Sequence, residues 1–411
     1  MIDSKLVLSD KEALSRELSK KGFDIRLVDN LESLLLTIRS QKTELNELFR
    51  KRNKWSRDAD IAAEDKRALR ESISQSEKKL GELEREAETL LLAIPNPPDP
   101  AAPVGEDESG NVVLFQSTDH HICETGNPLT HWDVAEKLDI LDMRLAGKIA
   151  GPRFGLFKGK GAKLLRALTQ YCLTLHEDKY FEMLPPHMAN SQALLYTGHL
   201  PKFAEEQYKS SKDDLWLIPT AEVPLTAAFA QTVLRVETLP KRVMGYTLSF
   251  RREAGASGKD ARGLQRIHEF HKVELLKIVE PQNSQNELDD LLEDCLKIIK
   301  DLKLRYRVVD LCSGSMGDKY ARCYDIDVYL PGVRKWFEAA SVGHFSDYQA
   351  RRAGIRYIDE NGRKKFAYTQ NGSGVATPRV WAAIVETYQQ PDGSVRVPDV
   401  LVPLMGCESI C

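Results

Sequence analysis

Phe250–Glu274 reads FRREAGASGKDARGLQRIHEFHKVE, and the rest of the chain is best understood outward from it. Arg251 stands two residues before Glu253, a glycine-rich charged turn follows, and His268, Phe270, Lys272 and Glu274 then fall at every other position. A period of two puts those four side chains on one face of a strand, and two strands joined by such a turn predict a hairpin. At roughly 3.3 Å per residue, Phe270 and Glu274 are about 13 Å apart on that face. This span suits an aminoacyl-adenylate, with an aromatic base stack at one end and an amine-binding carboxylate at the other. A surface hairpin with cross-strand ion pairs is the plain alternative. Against it, Glu274 lies in the apolar run VELLKIV, and a half-buried carboxylate needs a cationic partner.

Upstream, no proline occurs before Pro95. Leu31, Leu34, Ile38, Gln41, Leu45, Leu48, Arg52 and Trp55 form one heptad seam; Leu69, Ile73, Ser76, Leu80, Leu83, Ala87 and Leu90 form a second. With a polar reversal near 57–66, they predict an antiparallel helical hairpin over about residues 30–91, each arm about 40 Å long. Residues 1–28 read as a short helix plus an extended piece. PNPPDPAAP (95–103) is neither helix nor central strand and predicts a stiff linker between an N-terminal domain, 1–100, and a second, 101–411. Beyond it, helices are expected at 161–178, 284–302 and 378–388. Strands are expected at 181–188, 215–219, 242–251, 265–278, 305–310, 324–330, 336–341 and 366–371. Hairpin and meander signals outnumber βαβ units, so the fold class is α+β, an antiparallel sheet flanked by helices.

Three further segments carry candidate chemistry. IPTAEVPLT (218–226) sets Thr220 and Glu222 two apart after an apolar strand, a pairing suited to a small polar amine but common elsewhere. KWFEAAS (335–341) ends an aromatic strand with Glu338 and Ser341, hard oxygen donors able to hold Mg²⁺ that also bridges phosphates. In TQNGSGVATPRVWAAIVETYQQ (369–390), Thr377 reads as an N-cap and Pro378 as the first helical residue. Arg379 then falls in the first turn, where the helix dipole disfavours a cation unless an anion such as phosphate is present. Gly372 and Gly374 in the preceding strand are read as allowing a ligand close approach to the backbone. GLFKGKGAK (155–163) is one residue short of a P-loop, and His268 and His271 would face opposite ways on a strand.

In bulk, 411 residues with a formal charge of −3 give no global electrostatic case for nucleic acid, so any RNA surface is local. No apolar run reaches membrane-spanning length, no signal or transit peptide is evident, and the seven cysteines form no CxxC pair. These features predict reduced thiols, no zinc site, no membrane partner and a cytoplasmic location.

Taken in order, these motifs resemble the bacterial type of seryl-tRNA synthetase, a class II aminoacyl-tRNA synthetase. The match includes LLLAIPNPPDPAAPVGEDESGNV, YFEMLPPHMANSQALLYTGHLPKF, FSDYQARRAGIRY, NGSGVATPRV and VPDVLVPLMG besides those above. The resemblance implies a tRNA-binding coiled-coil arm, a class II catalytic domain, and a homodimer built around a first motif ending near Pro186. It implies a ligase that activates L-serine with ATP and Mg²⁺ and charges tRNA(Ser), with tRNA(Sec) as a further possible acceptor. Arg251 and Arg379 become the catalytic cations. Thr220, Ala221, Glu222, Glu274 and Ser373 would bind serine. Arg251, Arg252, Glu253, Ile267, Phe270, Glu338, Ala339, Ala340, Ser341 and Arg379 would bind ATP, and Glu338 and Ser341 its metal.

One segment departs from the pattern. The family usually reads Glu-Val/Ile-Ser-Ser-Cys-Ser-Asn where this chain has Glu338-Ala339-Ala340-Ser341-Val342-Gly343-His344. That difference motivates two alternatives, a specialised duplicate for secondary metabolism or inhibitor tolerance, and a tRNA-binding paralogue with impaired catalysis.

Overall fold

The computed structural model describes residues 1–58, 60–254 and 263–411, and the chain divides into two compact units, Met1–Pro97 and Pro98–Cys411. Most of the glycine-rich turn read above lies outside the described residues.

In the first unit, helices α1 (Arg26–Trp55) and α2 (Ala63–Ala93) are each about 45 Å long and pack along the two heptad seams. Leu31, Ile38 and Leu45 are buried on α1, facing Leu69, Ile73 and Ala87 on α2. Gln41 Nε2 donates to Ser76 Oγ across the seam at 2.9 Å, a polar pair that fixes register. Arg52 is exposed and stacks on Phe49, while Trp55 beyond it packs on the Leu45, Leu69 and Ile73 cluster, so the seam runs on past Arg52. The segment before α1 holds two short helices, Ser4–Ser9 and Lys11–Ser19, where one short helix and an extended piece were expected. Val7, Leu14 and Leu18 are buried against Val28, Leu31 and Ile94 at the base of the arm, and that burial favours helix over extended chain.

The second unit is built on one sheet. Its strands are β1 (Val112–Gln116), β2 (Phe181–Glu182), β3 (Lys241–Phe250), β4 (Glu269–Val279), β5 (Tyr306–Asp310), β6 (Arg322–Leu330), β7 (Lys335–His344) and β8 (Tyr368–Ala376). They lie in the order β1-β5-β6-β7-β8-β4-β3-β2, antiparallel throughout except for the β2–β3 pair. The expected strand over 181–188 is therefore only the two-residue β2, with a separate bridge pair at Met188–Ala189. Helices α3 (Gly159–His176), α4 (Ser284–Asp301) and α5 (Thr377–Thr387) pack against the sheet.

Along β4, Val273, Leu275 and Lys277 face these helices, and Lys277 is fully buried with Nζ bonded to Glu287 and Asp290 of α4. Phe270, Lys272 and Glu274 face the other way. Gly372 on β8 belongs to the helix side: a methyl group there would meet Cys295 Sγ at 2.5 Å, and on Gly374 would meet Cys172 Sγ at 3.0 Å. These glycines admit helices α3 and α4 onto the sheet, so the expectation that they open the backbone to a ligand is corrected. Gly372→Ala should cost about 1–3 kcal/mol in urea unfolding, and Cys295→Ala in the same chain should recover part of it by clearing the space.

Candidate active site

On the face opposite α3 and α4, the strands wall a cavity of about 260 Å³. Thr220, Glu222, Glu274 and Ser373 line one end. Arg251, Glu253, Ile267 and Phe270 line another part of it, with Glu338, Ala339, Ser341 and Arg379 completing the wall. The sheet explains why distant residues meet: Glu274 is registered opposite Ser373 on β8 and Gly245 on β3.

At the Glu274 end, Thr220 Oγ1 donates to Glu274 Oε2 at 2.6 Å and accepts the Glu222 backbone N–H at 3.2 Å. Lys272 Nζ is in contact with Glu274 Oε2. Burial raises the Glu274 carboxyl above its ordinary range, and Lys272 and Thr220 only partly offset this. Glu222 has the opposite balance. Burial alone would raise it, but Lys319 overrides burial and holds it down at about 2. Lys319 Nζ reaches both Glu222 oxygens, at 2.7 and 2.6 Å, and Gln349 Nε2 donates to Oε1 at 2.7 Å. His199 beside them is pushed down to about 3 by desolvation and then by Lys319, which leaves a neutral imidazole.

At the aromatic end, the Arg251 guanidinium lies 5.1 Å from the centre of the Phe270 ring. Glu253 adopts φ of +49°, a region costly for a residue with a side chain, and its Oε2 accepts from Arg266 at 3.0 Å. Arg379 occupies the first turn of α5, with Nη1 donating to the Glu338 carbonyl at 2.6 Å. Thr377 does not cap that helix. It is the first helical residue, and its hydroxyl donates to the His271 carbonyl at 2.9 Å.

Glu338 and Ser341 are three residues apart, a spacing that in a regular strand would send them to opposite faces. A bulge at Ala339 corrects this: Glu338 pairs with Asp327 and Ser341 with Asp325, so all four share the cavity face. Ser341 Oγ donates to Asp325 Oδ1 at 2.5 Å, and burial followed by the charge of Glu338 raises Asp325 well above the usual carboxylate range. Hard oxygen donors gathered beside cationic side chains fit a magnesium-bound polyphosphate. Among the described residues no group of three or more His, Cys, Asp or Glu side chains forms a metal cluster.

Three candidates lie outside the cavity wall. Ala221 and Ala340 are buried in apolar packing, and Arg252 turns away to the Glu205 carbonyl at 2.9 Å. Conversely, Lys272, Lys319, Tyr320, His199 and Asn371 line the cavity without having been singled out. Lys272 had a signal in its place between Phe270 and Glu274. Lys319 had none, because its loop reaches Glu222 across 97 residues of chain. In the departing segment, Val342 and Ala340 belong to the helix-side core, and His344 is buried, with its pKa pushed down to about 4 by burial. Gly343 faces the cavity side, and a methyl there would lie 2.3 Å from Tyr320 Cε1.

An antiparallel sheet carrying an Arg–aromatic–carboxylate row, with a second Arg at a helix start, is the site of a class II aminoacyl-tRNA synthetase. Residues 203–388 match the family model for the class II tRNA synthetase core domain (G, H, P, S and T), and residues 1–98 match that for the seryl-tRNA synthetase N-terminal domain. The chain belongs to the seryl-tRNA synthetase family. It is 42% identical over 425 residues to a serine–tRNA ligase of Cyanothece sp. and 40% identical over 415 residues to one of Dehalococcoides mccartyi, covering 100% of each chain. A crystal structure of the Pyrococcus horikoshii seryl-tRNA synthetase complexed with ATP superposes with a TM-score of 0.93 at 30% identity, covering 100% of this chain and 99% of that one.

The Glu222–Lys319 pair makes a pH-dependent contribution. A carboxylate whose pKa is depressed on folding stabilises the native state above its unfolded value, here about 4.5, and the contribution fades as pH falls toward about 2. Lys319→Met should therefore be less stable than wild type by about 3–5 kcal/mol near neutrality. In urea unfolding measured at several pH values, that gap should narrow below about pH 4.5.

Proposed function

We propose that the chain is an ATP-dependent serine–tRNA ligase, that serine is activated in the cavity between Glu274 and Arg251, and that the helical arm positions tRNA(Ser). The supporting observation is the single face that carries Phe270, Lys272 and Glu274 beneath Arg251, closed by Arg379. Its length and its order of aromatic, cationic and anionic groups match a seryl-adenylate. In this reading the adenine stacks on Phe270, with Ile267 beside it and Glu253 at its edge. Arg251 holds the α-phosphate and Arg379 the γ-phosphate. The serine amine sits against Glu274 and Thr220, with Ser373 and Glu222 completing the pocket.

The serine carboxylate attacks the α-phosphorus, the bond to the β-phosphate oxygen breaks, and pyrophosphate leaves. Protein groups form no covalent bond in this step; they align the reactants and offset negative charge. Lys272, which rests on Glu274, is displaced from it by the substrate ammonium and stays in reach of the new adenylate. Glu338 and Ser341 would hold Mg²⁺, which supplies charge neutralisation on the polyphosphate. The 3′-hydroxyl of the terminal tRNA adenosine then attacks the seryl carbonyl, and AMP leaves with both electrons of the broken acyl–phosphate bond. Discrimination against alanine follows from pocket groups that would lose the hydroxyl partner.

The second unit also exposes a set of apolar side chains, Ile122, Ile149, Phe181 and Leu184, together with the outer strand β1. Such exposure supports a homodimer formed by this unit. No helix among the described residues is long and apolar enough to cross a membrane.

ATP–pyrophosphate exchange dependent on serine tests the reading, and its absence would overturn it. Arg251→Ala should lower exchange by at least about 100-fold. Removing residues 31–90 should leave exchange intact and abolish most charging of tRNA(Ser); undiminished charging would remove the arm from tRNA recognition. Phe181→Asp with Leu184→Asp should shift the sedimentation profile toward monomer.

A further inference from the structure

The cavity contains two buried carboxylates, Glu222 and Glu274, joined through Thr220, which donates to one and accepts the backbone N–H of the other. Their resident cations differ in how they are held. Lys272 is a neighbour of Glu274 on the same strand, two residues away. Lys319 comes from a loop and is fixed from several sides. Its Nζ bonds both oxygens of Glu222 and lies 5.3 and 5.4 Å from the ring centres of Tyr320 and Phe345. Those rings stack on each other at 5.0 Å. Tyr320 in turn occupies the space that a side chain at position 343 would fill, so Gly343 and the Lys319 cage are one packing arrangement. Gln349 takes a further bond to Glu222 Oε1. A carboxylate held this way is spoken for before any substrate arrives.

We infer that Lys319 is a specificity-determining residue: pinned to Glu222, it cancels one of the two carboxylates, so the pocket accepts one substrate cation, at Glu274, and rejects amino acids whose side chain brings a second. The inference rests on the reading that this cavity binds the amino acid. A substrate amine on Glu274 and Thr220 places the β-substituent beside the Glu222–Lys319 pair. A hydroxyl is compatible with that neutral pair, whereas an ammonium would face Lys319 directly. Without Lys319, Glu222 would be an unpaired buried anion, and a second substrate cation would relieve it.

The test is ATP–pyrophosphate exchange by the full chain with L-serine and with L-2,3-diaminopropionate, which replaces the serine hydroxyl by an amine, at a mildly acidic pH where both amines are protonated. The readout is the ratio of the two kcat/KM values, with the KM for ATP measured alongside. Lys319→Met should reduce the preference for serine by at least about tenfold and leave the KM for ATP within about twofold. Glu222→Gln, which leaves Lys319 uncompensated, should move the ratio the other way and keeps the test decisive if Lys319→Met does not fold. A ratio unchanged in Lys319→Met, or a weakened serine preference in Glu222→Gln, would overturn the inference. Wild type without serine-dependent exchange would instead sink the functional reading beneath it.

Discussion

Carboxylates buried beside a cavity are unfavourable unless cations accompany them, and the second unit is organised around that requirement. Glu274 and Glu222 lie 1% and 3% exposed within one cavity. Each has a lysine within bonding reach, but the two lysines differ in kind. Lys272 extends from the strand that bears Glu274 and stands at the place proposed for the substrate ammonium. Lys319 is caged by two rings and bound through both carboxylate oxygens of Glu222. In the proposed reading one carboxylate exchanges its partner for substrate, and the other cannot do so without dismantling its surroundings. Lys277 shows the purely structural version of the same principle, buried on the helix side of β4 and satisfied by Glu287 and Asp290.

The sheet translates this chemistry into position. Antiparallel register sets Ser373 opposite Glu274, and a bulge at Ala339 brings Glu338 and Ser341 to one face despite their odd spacing. Glycines on β8 allow helices to press closely on the reverse side of the strand that carries Ser373. Strand pairing and packing fix the cavity wall, and Arg379 is tied to it through the Glu338 carbonyl while Arg251 lies over Phe270.

Local pattern made much of this legible. The period of two in Phe270–Glu274 gave the strand and its cavity-facing side, and the heptads gave both arms of the helical hairpin. The alternating strands gave the α+β class. What escaped depends on contacts between distant parts of the chain. Lys319 sits in a polar loop with no periodicity, and only the fold delivers it to Glu222. Gly372 and Gly374 suggested ligand access because sequence does not tell which face a helix will cover. Thr377 has the residue type of a cap, yet its hydroxyl is taken by a strand carbonyl. Residues 1–28 hold a second short helix in place of the expected extended piece because the arm offers an apolar base, a condition invisible within the segment itself. The unusual run 339–344 motivated the readings of a specialised duplicate and of a paralogue with impaired catalysis. Ala340 and Val342 turn to the helix-side core, whereas Ala339 and Ser341 line the cavity and Gly343, on the same side, is matched to the Tyr320 ring.

The most direct test of the account is a crystal structure with a non-hydrolysable seryl-adenylate analogue. The account predicts adenine on Phe270, the phosphate mimic on Arg251, and the amine on Glu274 and Thr220 with Lys272 displaced. Lys319 should remain on both oxygens of Glu222. An analogue bound with its amine on Glu222 and Lys319 expelled, or lying away from the β3–β4 face, would contradict it.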